Sequence, residues 1–418
     1  MDNITHSIIG FGVGELVHRS LPREADDSSQ RVRHRLLLVS CALASNFPDL
    51  DLFLTRLLPD PLGYLLHHRG HTHTVLLALP QALLLAALLW LCWPSARALL
   101  QSSRTARWGL AASITTGFAL HLLMDYTNSY GVHPWYPFSG RWFFGDMVFI
   151  VEPLFWVAIG TPMALIMRWR WARWLGFAGL FAALVFFASR EYLGWPSVAA
   201  LLLVALACGA AQWRAGANGR AGLLLALGVG IGFIAVQGAA SQLGRRLIVS
   251  ALHQADSSSR VLDVVMTAYP SQPLCWSYIS VESHEAAGSY RLRRGVASVA
   301  PTWLAPLSCP AALVESQSAQ ALSSSAMQFE TKDGSLAALR ALKNGNCQAD
   351  AWLRFGRAPW LDVTKGELSD YRFALTPRGN FTTLHIAPAA ACPQGVPGWG
   401  YPREDLLLPK HNGADARF

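Results

Sequence analysis

The sequence predicts a mainly α-helical multi-pass membrane protein with a C-terminal β-rich soluble domain. Three observations carry this expectation. The chain is 52% hydrophobic and only 14% charged, against about 25% charged in an average soluble domain, and its mean hydropathy is +0.28. No charged residue occurs from Thr74 to Trp93 or from Ala221 to Leu243, and about 20 apolar residues suffice to cross a bilayer. After about Arg260 the composition shifts to short alternating runs separated by Pro, Gly, Ser and Asn, the pattern of half-buried strands.

The N-terminal segment Ile4–Val17 reads as a helix with small residues at Gly10 and Gly14. Met1–His18 lacks a basic leader and a small-residue cleavage site, so no cleavable signal peptide is expected. Arg23–Arg35 is polar and reads as a loop. Leu36–Phe47 is apolar but short, a buried or partly inserted helix that stops at Pro48.

Spans are expected at 74–93, 108–124, 147–167, 172–189, 196–213 and 221–243, with the 36–47 element as a possible seventh. Trp90, Trp93, Trp108, Trp169, Trp171, Trp174, Trp195 and Trp213 lie near span ends, as interfacial belts require. The loops holding Arg97, Arg104 and Arg107, then Arg168, Arg170 and Arg173, then Arg214 and Arg220 alternate along the chain. All three loops can therefore be cytoplasmic together. Everything after Leu243 then faces outward, although Arg245 and Arg246 count against this. The net charge of +8 would suit nucleic acid in a soluble protein. Here it is explained by these loops, so the bilayer is the expected partner and nucleic acid is not.

In the C-terminal region, strands are expected at Val261–Tyr269, Leu274–Val281, Ser289–Val296, Ala351–Phe355, Tyr371–Leu375 and Phe381–Ile386. Gln317–Gln328 reads as helix or loop. Of the seven cysteines, Cys41, Cys92 and Cys208 sit in apolar stretches and read as small buried residues. Cys275, Cys309, Cys347 and Cys392 allow two disulfides in three pairings, which fits an oxidising, extracytoplasmic setting; four reduced thiols are the alternative.

Five pieces concentrate imidazole and carboxylate groups: Thr5-His6; Pro48-Asp49-Leu50-Asp51; His67-His68-Arg69-Gly70-His71-Thr72-His73; His121-Leu122-Leu123-Met124-Asp125; and, more weakly, Asp146 with Glu152. These are the ligand types of catalytic zinc and related divalent ions. His121 and Asp125, four apart, share one helix face. Asp49 and Asp51 project together if their segment is extended. An aspartate at bilayer depth costs about 2.5–3.5 kcal/mol on insertion scales, so a compensating cation is favoured. Each piece also has a plain reading: His6 as a packed residue, Asp49-Leu50-Asp51 as a helix cap, the histidine run as an interfacial segment, His121 and Asp125 as mutual partners. Their coincidence favours a metal site. His18, His34, His253, His284, His385 and His411 lack such company and read as surface or structural residues, and His133 follows no usable spacing.

At these residues the chain resembles the YdjM-like membrane-bound metal-dependent hydrolases. The matching pieces are His6, Pro48-Asp49-Leu50-Asp51, His68-Arg69-Gly70-His71-Thr72-His73-Thr74, His121-x-x-x-Asp125, Thr127, Gly131 and Trp135-Tyr136-Pro137-Phe138. Gly145–Pro153 is similar to a family stretch ending in Asp-Pro, with Glu152 in place of the aspartate. The resemblance covers residues 1–167, leaving 168–244 as additional spans and 245–418 as the extracytoplasmic domain.

It implies a bacterial inner-membrane, metal-dependent hydrolase, distantly similar to the zinc-dependent phospholipase C and P1 nuclease group, which hydrolyses phosphoesters. Carried over by position, the motif implies His6, Asp49, Asp51, His68, His73, His121 and Asp125 as metal ligands for Zn or Mn. Asp49 or Asp51 would bridge ions or take a water proton, and Arg69 would hold a phosphate oxygen of a phospholipid or envelope phosphoester. His71 is not fixed by the motif. The phospholipase group also uses its terminal amine as a ligand, and Met1 is expected to lie too far away to match. Two other readings stay open: a membrane regulator or scaffold acting through the C-terminal domain, and a metal or proton transporter. The latter is disfavoured because the later spans hold almost no polar residues, Gln237 excepted.

Overall fold

The computed structural model describes residues 1–314, 318–375, 379–387 and 391–408; His411 and Gln317 lie outside them. Helix α1 (Asn3–Ser20) starts where the Asp2 carboxylate accepts from the backbone N–H of Ile4 and Thr5. Helix α2 (Asp27–Ala44) starts where Asp26 caps Ser28 and Ser29 in the same way. Most of the expected loop at 23–35 is therefore helix. Its polar Asp-Ser run is a cap, and its Arg33 is buried against Glu24 at 2.9 Å.

The first two helices lie close because glycines face the contact. A Cβ on Gly10 would stand 2.7 Å from the Ala42 Cα, and one on Gly14 2.7 Å from the Leu37 carbonyl. After Ala44 the chain bends by 59° through a 3-10 turn at Phe47–Leu50 into α3 (Asp51–Thr55), not an extended segment. Helix α4 (Leu62–His67) and a second 3-10 turn at His71–His73 lead to α5 (Val75–Cys92), capped by the Thr74 hydroxyl. Then follow α6 (Pro94–Ser102), α7 (Arg104–Tyr126), α8 (Pro153–Ile166), α9 (Arg170–Ser189), α10 (Trp195–Ala215) and α11 (Ala221–Ala255).

Among the described residues, four helices are long and apolar enough to span a membrane: α5, α9, α10 and α11, with the bent α2–α3 pair a fifth if counted as one. This trims the expected six or seven. Helix α7 is long enough but carries arginines at one end and the His121–Asp125 pair at the other. The span expected at 147–167 is helical only from Pro153, because 147–152 is irregular backbone tied to Thr127. Helix α11 runs past Leu243 to Ala255. Its 35 residues reach roughly 52 Å at 1.5 Å per residue, well beyond a bilayer core, and its last turns bury Ile248 and Leu252 against the β domain.

That domain holds a five-stranded antiparallel sheet, β1 (Arg260–Tyr269), β2 (Gln272–His284), β3 (Ser289–Ser298), β4 (Gln320–Ser323) and β5 (Ala326–Ser335), in the order β1-β2-β3-β5-β4. The Gln317–Gln328 segment thus contributes strands from Gln320 on. One sheet face packs on α11 through Val264, Met266, Trp276 and Tyr278. The other packs on α12 (Leu336–Gly345) and α13 (Cys347–Leu353) through Val281, Tyr290, Leu292 and Trp352. The expected strand at 351–355 is therefore mostly helix: Trp352, Leu353 and Phe355 are buried, and a short apolar run does not distinguish strand from buried helix.

A small sheet, β6 (Pro359–Asp362), β7 (Glu367–Asp370) and β8 (Leu384–His385), and a last turn, α14 (Glu404–Leu407), complete the domain. Tyr371–Phe373 is a 3-10 turn rather than a strand, and of the expected strand at 381–386 only Leu384–His385 is paired. Disulfides join Cys275 to Cys309 and Cys347 to Cys392. Cys41 and Cys208 are buried, whereas Cys92, expected to be buried, is exposed.

Candidate metal centre

Four segments meet at the end of the helical region. Helix α1 brings His6, the bend after α2 brings Asp49 and Asp51, the stretch from the end of α4 through the 3-10 turn before α5 brings His68 and His73, and the last two turns of α7 bring His121 and Asp125. One ligand atom each from Asp49, His73, His121 and Asp125 lies within 4.8 Å of all the others; Asp49, Asp51 and His68 form a second such group. Asp49 belongs to both. His6 stands beside them, its ring stacked on His121 at 4.2 Å and its Nε2 3.3 Å from Asp125 Oδ1. All seven side chains are buried.

The hydrogen bonds behind the cluster fix how it presents itself. His121 Nδ1 donates to the Ser45 carbonyl at 2.7 Å, so its Nε2 lone pair points inward, 2.9 Å from His73 Nε2. The same His73 nitrogen is 3.3 Å from Asp49 Oδ1 and 3.2 Å from Asp125 Oδ2. Two carboxylates and an imidazole lone pair thus converge on one point, which favours a cation there. Burial alone would lower the pKa of His73, but its hydrogen bonds with Asp125, Asp49 and Asp51 prevail and push it up to about 10. A histidine oriented by a backbone carbonyl is the usual support of a metal ligand. The donor set of imidazoles and carboxylates therefore fits a divalent metal ion.

Around Asp51, His68 Nδ1 lies at 2.9 Å, the Thr72 hydroxyl donates at 2.7 Å and the Arg69 N–H at 3.2 Å. Arg69 has a φ of 56°, a left-handed turn uncommon outside glycine that aims its N–H at Asp51 while its guanidinium turns the other way. That guanidinium sits 3.1 Å from Asp125 Oδ1 and donates to Asn128 Oδ1 at 3.0 Å. Its buried Nε makes no hydrogen bond.

Several contributors carried no recognisable sequence signal. The Met1 amine is buried against Asp125, contrary to the expectation that it lies too far away. Asn3 donates to Asp49 at 2.9 Å. Thr72 lies inside the histidine run, where only the imidazoles drew attention.

Other expected or neighbouring groups lie apart. His71 packs on Tyr136 and Trp399, and His67 is half-buried. His133 is sandwiched between Trp142 and Trp399, where burial pushes its pKa down to about 3. Asp146 and Glu152 do not join the cluster. Asp146 pairs with Arg245 and Arg357. Glu152 caps α8 and accepts from the Ser271 N–H and hydroxyl.

The β domain covers the loops that build the centre. Trp399 Nε1 donates to the Leu66 carbonyl at 2.9 Å, Arg372 Nη1 to the Ser129 carbonyl at 2.6 Å, and Trp142 Nε1 to the Arg354 carbonyl at 2.7 Å. The centre and the β domain therefore lie on the same side of the membrane helices.

Comparison with known proteins places this geometry in context. Residues 1–196 match the family model described as YdjM inner membrane protein, which takes in every residue of the cluster. An uncharacterized protein, YfhP, of Bacillus subtilis (strain 168) is 27% identical over 158 residues, which are 38% of this chain and 44% of that relative. The chain thus spans less than half of that relative's length. No solved structure matches.

Proposed function

We propose, from the match of residues 1–196 to the YdjM inner membrane protein family model and from the buried His/Asp cluster, that the chain is a membrane-bound, metal-dependent hydrolase of a phosphoester. The observation that carries this reading is the convergence of Asp49, His73, His121 and Asp125 within 4.8 Å. A divalent ion bound there would supply Lewis acidity and lower the pKa of a water toward ~7.

The residues of the chain take distinct parts in this reading. Asp49, shared by both ligand groups, bridges them. Asp51, accepting from Thr72 and close to His68, is placed to take a proton from an attacking water. Arg69 balances the charge of Asp125, and its unpaired Nε–H is the donor available to a phosphate oxygen. The spread of ligands over four segments keeps the site rigid only while those segments stay packed.

The extracytoplasmic setting belongs to the same proposal. Its support is the pair of disulfides in the β domain, which persist in oxidising compartments, and the arginines of the alternate loops. Metal content decides the core of the reading. Full-length protein purified in detergent should carry Zn or Mn by elemental mass spectrometry and hydrolyse bis(p-nitrophenyl) phosphate, and His121→Ala/Asp125→Ala should do neither. Equal metal in the two proteins would falsify the proposal.

A further inference from the structure

A groove of about 490 Å³ opens between α5 and the bend that follows α2. Its size falls within the ~300–1,000 Å³ of small-molecule sites. Phe47 and Leu50 form one wall and Leu85, Leu88 and Leu89 the other, with Asn46 contributing an amide. Leu85 and Leu89 are buried at its floor, while Leu50 and Leu88 are 48% and 43% exposed at its rim.

Two features say what lies in it. The groove runs along α5, a helix apolar enough to span the membrane and only 11% buried, so hydrocarbon is its surroundings. It also adjoins the metal centre. Leu50 sits between Asp49 and Asp51, and Asn46 is linked to Asp49 through Asn3, by contacts of 3.4 and 2.9 Å. A transmembrane helix about 10 Å across and 30 Å long would occupy roughly 2,000 Å³, too much for this space; a single acyl chain is thin enough.

We infer that the groove holds an acyl chain of a membrane phospholipid whose phosphoester lies at the Asp49 end, so that the substrate enters sideways from the bilayer. This rests on the hydrolase reading above and narrows its substrate class. Lipid tails are as apolar as leucine, so the groove adds little affinity. Its effect is to orient the chain and thereby place the phosphate.

The experiment uses the full chain in phosphatidylcholine vesicles doped with a glycerophospholipid carrying a diazirine in one acyl chain. After illumination, labelled peptides are mapped by mass spectrometry. Labelling should concentrate on 43–50 and 85–92. It should fall severalfold in Leu88→Trp and Leu50→Trp, both at exposed rim positions that do not disturb the core, and stay unchanged in Leu79→Trp, on the open face of α5. Leu88→Trp, on α5 and away from the ligand-bearing turn, should keep turnover of bis(p-nitrophenyl) phosphate and lose turnover of the phospholipid. Labelling spread evenly over α5, or indifferent to Leu88→Trp and Leu50→Trp, overturns the inference. Groove labelling in a wild-type protein that hydrolyses neither ester supports the lipid site while defeating the hydrolase reading.

Discussion

The guanidinium of Arg357 meets the carboxylate of Asp146 through two hydrogen bonds of 2.8 Å, across 211 residues of chain. The same guanidinium donates to Asp263 at 2.8 Å, and Arg245 contacts both carboxylates. This buried network fastens the β domain to the loop that follows the metal-bearing helix α7. Removing one partner of a buried pair costs up to about 3–5 kcal/mol; here Arg245 still contacts both carboxylates, so the loss falls at the lower end of that range. Arg357→Ala should therefore lower the unfolding temperature sharply and expose the 245–260 region to protease. Asp333→Asn, which breaks the more exposed pair with Arg291, should cost at most about 1 kcal/mol. Thermal melts of the two variants side by side check the contrast.

The two histidines of the 3-10 turn should separate cleanly. His73 faces both carboxylates of its group, whereas His71 turns to Tyr136 and Trp399. Titration with Zn should show loss of the site in His73→Ala and near-normal binding in His71→Ala. Thr72→Val removes the hydroxyl that contacts both Asp51 and His73 Nδ1, and such supporting bonds are worth about 10–100-fold in metal affinity. Binding in Thr72→Val as tight as in wild type would show that Asp51 is oriented by His68, His73 and the Arg69 N–H without the hydroxyl.

The parts of this site legible in the sequence were those written in residue types at fixed spacing. His121-x-x-x-Asp125 declares a shared helix face, and the histidine run declares itself. The Ser45 carbonyl that orients His121 has no such signature, because every residue has a carbonyl; the Met1 amine likewise has none. The start of α2 was hidden for a related reason. Asp26-Asp27-Ser28-Ser29 has the composition of a loop, and only the bonds from the Ser28 and Ser29 N–H groups to the Asp26 carboxylate show that a helix begins there. Arg260–Ser298 was readable because its strands alternate. The region of α13 was not, since a helix buried on nearly all sides has no period to read.

Glu152 gives a pH dependence. Burial pushes its carboxyl up to about 7 from an ordinary 4.5, against the hydrogen bonds from Ser271 and Leu154. The folded state thus holds a proton that the unfolded state releases between about pH 4.5 and 7. Stability should fall as pH rises through that window and level off above it, by on the order of 3 kcal/mol. Glu152→Gln should flatten this slope while losing one hydrogen bond to Ser271. Urea midpoints at pH 5, 6, 7 and 8 test it, and parallel slopes for both proteins would assign the dependence to another group.

The Cys347–Cys392 disulfide closes a 45-residue separation and anchors the segment that leads to Trp399. Loss of such a bridge typically costs about 2–4 kcal/mol. Cys347→Ser should destabilise the β domain by that amount and loosen Trp399 from Leu66, read as increased solvent exposure of Trp fluorescence. In intact cells, Cys347 and Cys392 should resist alkylation until a reductant is added. Immediate labelling of both thiols would place the β domain in the reducing cytoplasm and reverse the proposed topology.

The sharpest test of how packing serves the site lies far from it. A Cβ at Gly14 would stand 2.7 Å from the Leu37 carbonyl and 2.9 Å from the Leu38 Cα, distances at which backbone must move. Gly14 is eight residues beyond His6, roughly 12 Å along α1, so a side chain there tilts the helix that carries His6 onto His121. Gly14→Val should cost about 1–3 kcal/mol as an overpacked contact and weaken Zn binding, although residue 14 touches no ligand. Gly179→Val makes the same chemical change on α9, where nothing lies within 4 Å of the added Cβ, and controls for helix propensity. If both variants melt and bind Zn alike, the close α1–α2 contact does not position His6. If only Gly14→Val loses zinc, the first helix is held at the centre by the absence of two side chains as much as by any bond it makes.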